Sequence, residues 1–406
     1  MTSTTPPTAA SLSAPQPVPY PFNEGDGLAL HEAYADARGG AGMIRVQLPH
    51  GGPAWLATRY EDARFVLGDL RFSRAMAVGD AEEPRYNPAV TQPSILSMDP
   101  PDHTRLRTLV SRAFTRHQVE GLRPWVRQLT SDLLDAMLAS GSRADLVDSF
   151  ALPLPVAVIC ELLGVPAEDR PKFRAWSDAL LSTSRLSEEE MRGNQEQLTA
   201  YISQYVAERR ARPQDDLISG LIEARDAKDR LSEQEMVSLC LAILVAGHET
   251  TASQIPNMVW VLLEQHDEWQ RLVGDPELVP GAVEELMRYI PLASGGFFPR
   301  YAHEDIEVGG VLVRRGEPVL VSLGAANRDP ERFEDPDVLR FDRPANQHLG
   351  FGHGVHHCLG AQLARMELQE ALRALVTKVP QLRVTGDAVW KRQMLVRAPR
   401  SLPVGW

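Results

Sequence analysis

The sequence predicts a mainly α-helical protein with a minor β part. Apolar residues recur at helical spacing along most of its 406 residues, whereas the alternation typical of strands is confined to a few short segments. No internal repeat and no long low-complexity segment interrupts this order. We therefore expect one domain over residues 20–406, preceded by a disordered tail over residues 1–19 that is rich in Thr, Ser, Pro and Ala.

The predicted strands lie towards the two ends of the domain. Residues 46–58 alternate around Gly51-Gly52-Pro53, which indicates a hairpin that leads into a helix over residues 60–67. Further strand patterns cover residues 306–313, 318–322 and 394–404.

The predicted helices fill most of the remaining chain. The longest begins at the capping box Ser232-Glu233-Gln234-Glu235, in which a hydroxyl and a carboxylate can each accept a backbone N–H. Residues 71–97 have no periodicity, and loops of that length often bind ligands or act as lids. The other helical candidates are residues 104–114, 118–139, 155–163, 168–182, 188–210, 217–225, 268–273, 281–289 and 359–376.

Composition excludes several classes of function. The net charge is -12, with 43% hydrophobic and 24% charged residues, which is typical of an acidic globular protein and shows no bias towards nucleic acid. Cys160 and Cys240 lie in apolar surroundings, so a disulfide framework is not expected. We find neither the pattern of a signal peptide nor a stretch of about 20 apolar residues. We expect a cytoplasmic monomer that binds neither nucleic acid nor a membrane.

The third cysteine lies in a glycine-rich loop that indicates the chemistry. The loop, Phe351-Gly352-His353-Gly354-Val355-His356-His357-Cys358-Leu359-Gly360, precedes an amphipathic helix. Gly352, Gly354 and Gly360 allow tight turns and a close approach to a flat ligand, and the start of the helix directs its positive dipole end at the sulfur of Cys358. A thiolate in this setting suits a single axial ligand of the kind that holds haem iron.

Two other interpretations of this loop stay open at this point. Free cysteine is commonly a small buried hydrophobe, so Cys358 could be a core thiol beside a helix cap. His353, His356, His357 and Cys358 could instead bind zinc or copper. Four residues so close in sequence cannot easily surround one ion, however, because structural zinc usually takes its ligands from two separated pairs.

A polar segment interrupts the apolar middle of the long helix. It reads Ala246-Gly247-His248-Glu249-Thr250-Thr251. The Thr250 hydroxyl can turn back to the carbonyl of Ala246, and the small residues Ala246 and Gly247 leave space for a flat ligand and a groove for dioxygen. Glu249 and Thr250 together offer an acid and a hydroxyl for a proton relay. The alternative is an ordinary buried helix in which both side chains meet solvent or a core partner.

Two further pairs of residues lie at helical spacing. Glu285 and Arg288 are three residues apart, which by itself indicates a surface ion pair worth a few tenths of a kcal/mol. His103 and Arg107 are four apart and share one helix face, so they can grip one anionic group. A basic helix face is otherwise usually only solvated.

Together, the Cys358 loop, the segment from Ala246 to Thr251 and the motif Glu285-Leu286-Met287-Arg288 resemble the cytochrome P-450 superfamily in its soluble actinobacterial form. The resemblance covers residues 20–406 and implies the cytochrome P-450 fold, with haem b between the long helix and the Cys358 loop. It implies that Cys358 ligates the iron, and that Glu285, Arg288 and Arg343 form a buried structural network. The other haem-binding residues that it implies are His103, Arg107, Ala246, Gly247, Arg300, Phe351, Gly352, His356 and Gly360.

Within this superfamily the chain is most similar in character to macrolide hydroxylases and epoxidases of the mycinamicin type. The resemblance implies a monooxygenase that inserts one atom of O2 into a bulky apolar natural product, a macrolide or another polyketide of antibiotic biosynthesis. Thr250 would hydrogen-bond the dioxygen, and Glu249 would help to deliver protons. The loop over residues 71–97 and the region 180–195 would line the pocket. The individual pocket candidates are Ala242, Leu292, Phe297, Met394 and Leu395.

The resemblance also implies electrons from NAD(P)H through a separate reductase and an acidic ferredoxin, because no flavin or iron–sulfur segment is fused to the chain. Arg105, Arg112 and Arg116 fall on one face opposite Arg107, where we expect the ferredoxin to dock. The same chemistry on a terpenoid, steroid, peptide or xenobiotic is an alternative. A peroxide-driven haem enzyme, which would not need the acid and hydroxyl pair, and a haem-binding protein without turnover are two others.

Overall fold

α-Helices make up most of the structure, which agrees with the fold class that the sequence predicts. The structure is a computed structural model, and it describes residues 16–22, 27–40, 42–77, 84, 94–169, 172, 176, 187–214, 216–228, 231–293, 295, 298–344, 346–392 and 394–406. Within them the α-helices are α1 (Glu32–Gly39), α2 (Tyr60–Gly68), α3 (Asp102–Val110), α4 (Arg116–Ala139), α5 (Pro153–Leu163), α6 (Glu188–Ala211), α7 (Leu217–Lys228), α8 (Glu233–Glu264), α9 (His266–Gly274), α10 (Val279–Tyr289), α11 (Leu323–Ala326) and α12 (Ala361–Lys378).

Helix α8 forms the centre of the helical part. Its capping box is present as predicted: the Ser232 hydroxyl accepts from the Glu235 N–H at 3.1 Å, and the Glu235 carboxylate accepts from the Ser232 N–H at 2.7 Å. The helix packs against α5, α6 and α12, and residues 251–259 are all buried. Pro256 lies inside α8, which nevertheless continues to Glu264.

Helix α8 also has the length and hydropathy of a membrane span, which the sequence analysis did not anticipate. Among the described residues it is the one helix that meets both criteria. However, 61% of its most apolar 18 residues are buried inside the protein, as is usual for the core helix of a globular protein.

The β part of the described chain contains one mixed sheet and three smaller groups of strands. The larger sheet has the strand order β1-β2-β3-β9-β6-β4, and the predicted hairpin joins its antiparallel strands β2 and β3. The smaller groups are β10-β13-β5, β11-β12 and β7-β8. The strands are β1 (Val18–Pro19), β2 (Met43–Gln47), β3 (Pro53–Ala57), β4 (Phe72–Ser73), β5 (Arg143–Asp145), β6 (Arg300–Ala302), β7 (Ile306–Val308), β8 (Val311–Val313), β9 (Pro318–Val321), β10 (Arg383–Val384), β11 (Val389–Trp390), β12 (Pro399–Ser401) and β13 (Pro403–Gly405).

The helices that the sequence predicts are present wherever the chain is described, and their ends are shifted by no more than four residues. The short helices α1 and α11 were not predicted. The disordered tail predicted over residues 1–19 is too long at its C-terminal end, because Val18 pairs with Val46 in β2. Residues 1–15 lie outside the described residues. Most of the predicted helix over 168–182 and of the loop over 71–97 also lies outside them.

A buried ion-pair network joins α10 to the segment before the Cys358 loop. The side chains of Glu285 and Arg288 are both 0% exposed, and Arg288 donates to the two carboxylate oxygens at 2.7 and 2.9 Å. Arg343 donates to the same oxygens at 3.1 Å each. Arg288 also donates to the carbonyls of Asn327 and Pro336. The three residues therefore meet in the core, and the interpretation of Glu285 and Arg288 as a surface pair is wrong.

Candidate active site

The Cys358 loop turns sharply at two glycines before α12 begins. Gly352 and Gly354 have φ values of +71° and +72°, a region that favours glycine. A Cβ atom at Gly354 would lie 2.4 Å from the Leu67 carbonyl oxygen, so this turn has no room for a side chain. We expected a tight turn at Gly360 as well, but its φ is -85°, and it directly precedes α12, which begins at Ala361. A Cβ at Gly360 would meet nothing within 4 Å, so it borders open space.

Cys358 is exposed and does not belong to the core. Cys358 is accessible, whereas Cys160 and Cys240 are fully buried. Burial nevertheless raises the pKa of the Cys358 thiol, and the Gly360 N–H and the guanidinium groups of Arg107 and Arg365 act in the opposite direction. An exposed cysteine whose thiol two guanidinium groups influence is poorly explained as a core thiol.

The histidines of this loop do not converge on Cys358. The ring of His356 lies against that of His103, with 4.2 Å between the ring centroids. His353 faces Gly68 of α2, where an added Cβ would lie 3.1 Å from its ring. In the described part of the chain, no group of three or more His, Cys, Asp or Glu side chains is arranged to hold a metal ion. This observation disfavours the zinc or copper interpretation and leaves a single sulfur ligand.

Beside the loop, His103, Arg107, Arg300 and His356 form a polar cluster. Buried atoms without a hydrogen-bond partner occur on three of them: Nδ1 of His103, Nε2 of His356 and Nη1 of Arg300. Burial lowers the pKa of Arg300 to about 10; burial and the neighbouring Arg300 and His103 lower that of His356 to about 3. Buried polar groups without partners are destabilising unless a ligand satisfies them. The cluster therefore fits an anionic group such as the carboxylates of haem.

One face of α8 is accessible in the middle of an otherwise buried helix. Ala242, Ala246 and Thr250 are spaced four residues apart along it; Ala246 is exposed and the other two are half-buried. The Thr250 hydroxyl donates to the Ala246 carbonyl at 2.9 Å, as the sequence predicts. Gly247 has a different role from the one expected. A Cβ there would lie 2.6 Å from Cδ1 of Ile159 in α5, so its small size serves helix packing.

Glu249 lies off this accessible face and is 2% exposed. Its carboxylate accepts hydrogen bonds from Lys391 Nζ and from the Ser253 hydroxyl, the latter at 3.3 Å. Lys391 Nζ also donates to the Ser253 hydroxyl at 3.0 Å. Sequence reasoning missed Lys391, because it is 142 residues from Glu249 and carries no periodic or motif signal.

The predicted pocket residues are only partly brought together. Leu292 and Met394 are half-buried, and they lie on two segments that a β-bridge between Ala293 and Val396 joins. Leu395 packs against the core cluster beneath the larger sheet, a structural contact that was not predicted. Phe297, residues 180–186 and most of the region 71–97 lie outside the described residues. Phe351 is buried, and the guanidinium of Arg365 stacks on its ring, with Cζ 4.3 Å from the ring centroid.

The predicted docking face does not form on one helix, because α3 ends at Val110 and Arg116 begins α4. Arg112 and Arg116 are exposed, as expected. Arg105 instead pairs with Glu235 at the start of α8 and lies 3.6 Å from Asp102. Its guanidinium thus joins α3 to α8, and we correct the prediction that it faces a partner.

Comparison with known proteins identifies the class. Residues 31–379 match the family model for cytochrome P-450. The chain therefore belongs to the cytochrome P-450 family and is a monooxygenase of that class, for which haem iron and dioxygen are implied. This confirms the resemblance and the fold class that the sequence predicts.

Three similar proteins illustrate how far this likeness extends. Mycinamicin IV hydroxylase/epoxidase of Micromonospora griseorubida is 49% identical over 398 residues, which cover 97% of this chain and 100% of that protein. Nocardicin C N-oxygenase of Nocardia uniformis subsp. tsuyamanensis is also 49% identical, over 391 residues, 95% of this chain and 98% of that protein. The crystal structure of HinD superposes with a TM-score of 0.93 at 48% identity and covers 97% of this chain and 100% of that chain.

Proposed function

We propose that this monooxygenase binds haem b with Cys358 as the iron ligand and oxidises a bulky apolar natural product. The observation that carries the proposal is the exposed position of Cys358 in the described structure; burial raises the pKa of its thiol, and the Gly360 N–H, Arg107 and Arg365 partly offset that rise. The bound haem supplies the activation of dioxygen. One oxygen atom enters the substrate and the other leaves as water, so each turnover consumes two electrons and two protons.

The ligand assignment is tested with carbon monoxide. The reduced protein should show the red-shifted Soret band of thiolate-ligated haem, and Cys358→Ala should abolish it. Cys160→Ala and Cys240→Ala remove fully buried thiols and should keep the band. A histidine-type band in the fresh native protein would refute the assignment.

The polar cluster is proposed to bind the haem carboxylates. Nη1 of Arg300, Nδ1 of His103 and Nε2 of His356 have no hydrogen-bond partner, and Arg107 lies close enough to Cys358 to influence its thiol. Loss of a hydrogen bond to a charged group costs about 1.5–3 kcal/mol, so Arg300→Met should weaken haem retention by roughly 10–150-fold. Haem transfer to apomyoglobin measures this, with Arg192→Met, at an exposed arginine of α6, as the control. Equal transfer rates would contradict the proposal.

Thr250 and Glu249 are proposed to deliver the two protons. Thr250 occupies the accessible face of α8 and presents a hydroxyl, while Glu249 is the adjacent acid. Thr250→Ala should increase the NADPH consumed per product formed, whereas Thr250→Ser keeps the hydroxyl and should keep the coupling. If Thr250→Ala is as well coupled as the parent, the hydroxyl has no part in proton delivery.

The substrate is proposed to be a macrolide or another polyketide. Two observations support this class: the half-buried, mostly apolar residues Ala242, Leu292 and Met394, and the 49% identity with a mycinamicin hydroxylase/epoxidase. The equal identity with a nocardicin N-oxygenase supports a second candidate, oxidation at nitrogen. Titration with mycinamicin IV, other macrolides and nocardicin C, followed by the spin-state shift of the haem, distinguishes the two. A shift with nocardicin C alone would overturn the first.

The electron donor is proposed to be an acidic ferredoxin that a separate reductase reduces with NAD(P)H. The exposed guanidinium groups of Arg112 and Arg116 support this by charge complementarity. Replacement of both by Glu should lower kcat/KM for ferredoxin by about tenfold at low salt and reduce its salt dependence. Arg192→Glu is the control at a distant exposed arginine. Unchanged kinetics of the double variant would exclude this docking face.

We also propose that the enzyme acts in the cytoplasm as a monomer. Its three cysteines form no disulfide, which suits a reducing compartment, and its cofactor chemistry draws on NAD(P)H. Cell fractionation and size-exclusion chromatography of the haem-loaded protein test both statements, and a stable dimer would contradict the second.

A further inference from the structure

A lysine from the C-terminal hairpin holds the acid of the polar segment in α8. Lys391 Nζ forms an ion pair with the Glu249 carboxylate and also donates to the Ser253 hydroxyl at 3.0 Å. The three groups close a triangle, because the Ser253 hydroxyl itself donates to Glu249 at 3.3 Å. The side chains of Lys391 and Glu249 are only 12% and 3% exposed, so water screens this pair little.

Helical spacing places Ser253, one member of this triangle, next to Thr250. Ser253 is four residues after Glu249 and three after Thr250, and both spacings bring side chains together on a helix surface. Glu249 and Thr250, in contrast, are consecutive and point about 100° apart. The conformation of the Glu249 side chain thus determines how closely the acid approaches the hydroxyl, and Lys391 fixes that conformation.

The position of Lys391 is in turn set by the hairpin of β11 and β12. The Lys391 N–H donates to the Ala398 carbonyl at 2.9 Å and so closes the turn that carries Met394 and Leu395. The preceding residue, Trp390, packs edge-to-face on Trp260 of α8, with 5.6 Å between the ring centroids. The hairpin is therefore attached to α8 both by an aromatic contact and by the ion pair with Glu249.

We propose that Lys391 is a positioning residue for Glu249, which it holds against Ser253, so that the hairpin sets the path by which protons reach Thr250. The inference rests on the proposed role of Glu249 in proton delivery. Loss of the ammonium group leaves the carboxylate without its strongest partner and free to adopt other conformations. Proton delivery then becomes slower and less selective although Glu249 itself is intact.

The first test measures the ion pair without any turnover. Lys391→Met and Glu249→Gln should each lower the Tm of the haem-loaded protein. Because the two residues interact, the Tm of the double variant should not fall below that of the single variant with the lower Tm. The matched control is Lys378→Met with Asp135→Asn, which removes a lysine pair whose side chains are 33% and 60% exposed. That pair should give small, additive shifts. Additive shifts for Lys391 and Glu249 would show that the pair does not form in solution.

The second test measures proton delivery in ligand-free, haem-loaded enzyme reduced by NADPH, a ferredoxin reductase and a ferredoxin. The readout is the solvent isotope effect, from NADPH consumption and peroxide formation in H2O and D2O. Lys391→Met should change the isotope effect by at least about twofold. Lys391→Arg should restore the parent value, because it keeps the charge, and Lys378→Met should resemble the parent. In the Glu249→Gln background, Lys391→Met should have no further effect.

These outcomes separate the two proposals. If Glu249→Gln alone leaves the isotope effect unchanged, the role of Glu249 in proton delivery is wrong, and the present inference falls with it. If Glu249→Gln changes the isotope effect but Lys391→Met does not, or if their effects add in the double variant, Lys391 does not act through Glu249. In that case the acid keeps its proposed role.

Discussion

Glu367 is a buried carboxyl group in α12, and its replacement by Gln provides a sensitive test of how the helical core is built. The residue is 1% exposed, and its Oε2 has no hydrogen-bond partner. Burial raises the pKa of Glu367 well above its usual value, so the folded chain keeps a proton that the unfolded chain releases. The contribution of this group to stability is therefore present at low pH and is lost as pH rises towards the folded-state pKa.

The size of the effect follows from this linkage. Above about pH 4.5 each further pH unit costs the folded parent about 1.4 kcal/mol, as long as Glu367 stays protonated in the folded state. Gln has nearly the same shape and no proton to lose. The unfolding entropy of a chain of 406 residues is about 0.85 kcal/mol per degree, so Glu367→Gln should gain about 1.6 °C in Tm over the parent per pH unit.

Differential scanning calorimetry of the haem-loaded protein at pH 5, 6 and 7 measures this slope. Glu370→Gln is the matched control, since it makes the same substitution one helical turn further along α12. Burial raises the pKa of Glu370, but hydrogen bonds from Arg127 and Arg123 outweigh it, and the pKa is lowered overall. Glu370→Gln should therefore lower Tm relative to the parent by the same amount at pH 5, 6 and 7. A Tm difference for Glu367→Gln that does not change between pH 5 and 7 would refute the reasoning.

Three further predictions concern the packing around the site. Arg288→Met removes two hydrogen bonds to the buried Glu285 carboxylate, which keeps Arg343 as its ion-pair partner; at about 1.5–3 kcal/mol for each bond this should cost about 3–6 kcal/mol, or about 4–7 °C in Tm. Gly354→Ala should lower Tm and the amplitude of the carbon monoxide band more than Gly310→Ala. Both glycines have positive φ, but an added Cβ lies 2.4 Å from the Leu67 carbonyl oxygen at Gly354 and meets nothing within 4 Å at Gly310. Ile159→Val should lower the Tm of the parent and raise that of Gly247→Ala, because it removes the methyl group that an added Cβ would strike. Equal effects of Ile159→Val in both backgrounds would contradict that contact.

The features that could be predicted from the sequence are those encoded by neighbouring residues. The capping box at Ser232, the hydrogen bond from Thr250 to Ala246 and the turns at Gly352 and Gly354 all depend on separations of six residues or fewer. The helices that surround the site follow for the same reason, since their apolar periodicity is local.

Contacts between distant segments were predicted only where a motif pointed to them. Arg343 was assigned to Glu285 because the family resemblance joins the two, and the structure brings them together across 58 residues. Lys391 and Ser253 carry no such motif, so their contacts with Glu249 could not be anticipated. Arg105 shows the opposite error. It was placed on one helix face with Arg112 and Arg116, but α3 ends at Val110, and a carboxylate 130 residues away binds the Arg105 guanidinium.

The polar segment of α8 shows why a motif predicts where a site lies better than it predicts the role of each residue. Successive residues of a helix turn by about 100°, so the residues of this short segment point in different directions. Ala246 and Thr250 belong to the accessible face, Gly247 packs on Ile159 of α5, and Glu249 meets Lys391 of the C-terminal hairpin. A change in either neighbour alters the segment without any change in the motif. Two enzymes with the same motif can therefore differ in proton delivery, and the difference would lie in the hairpin.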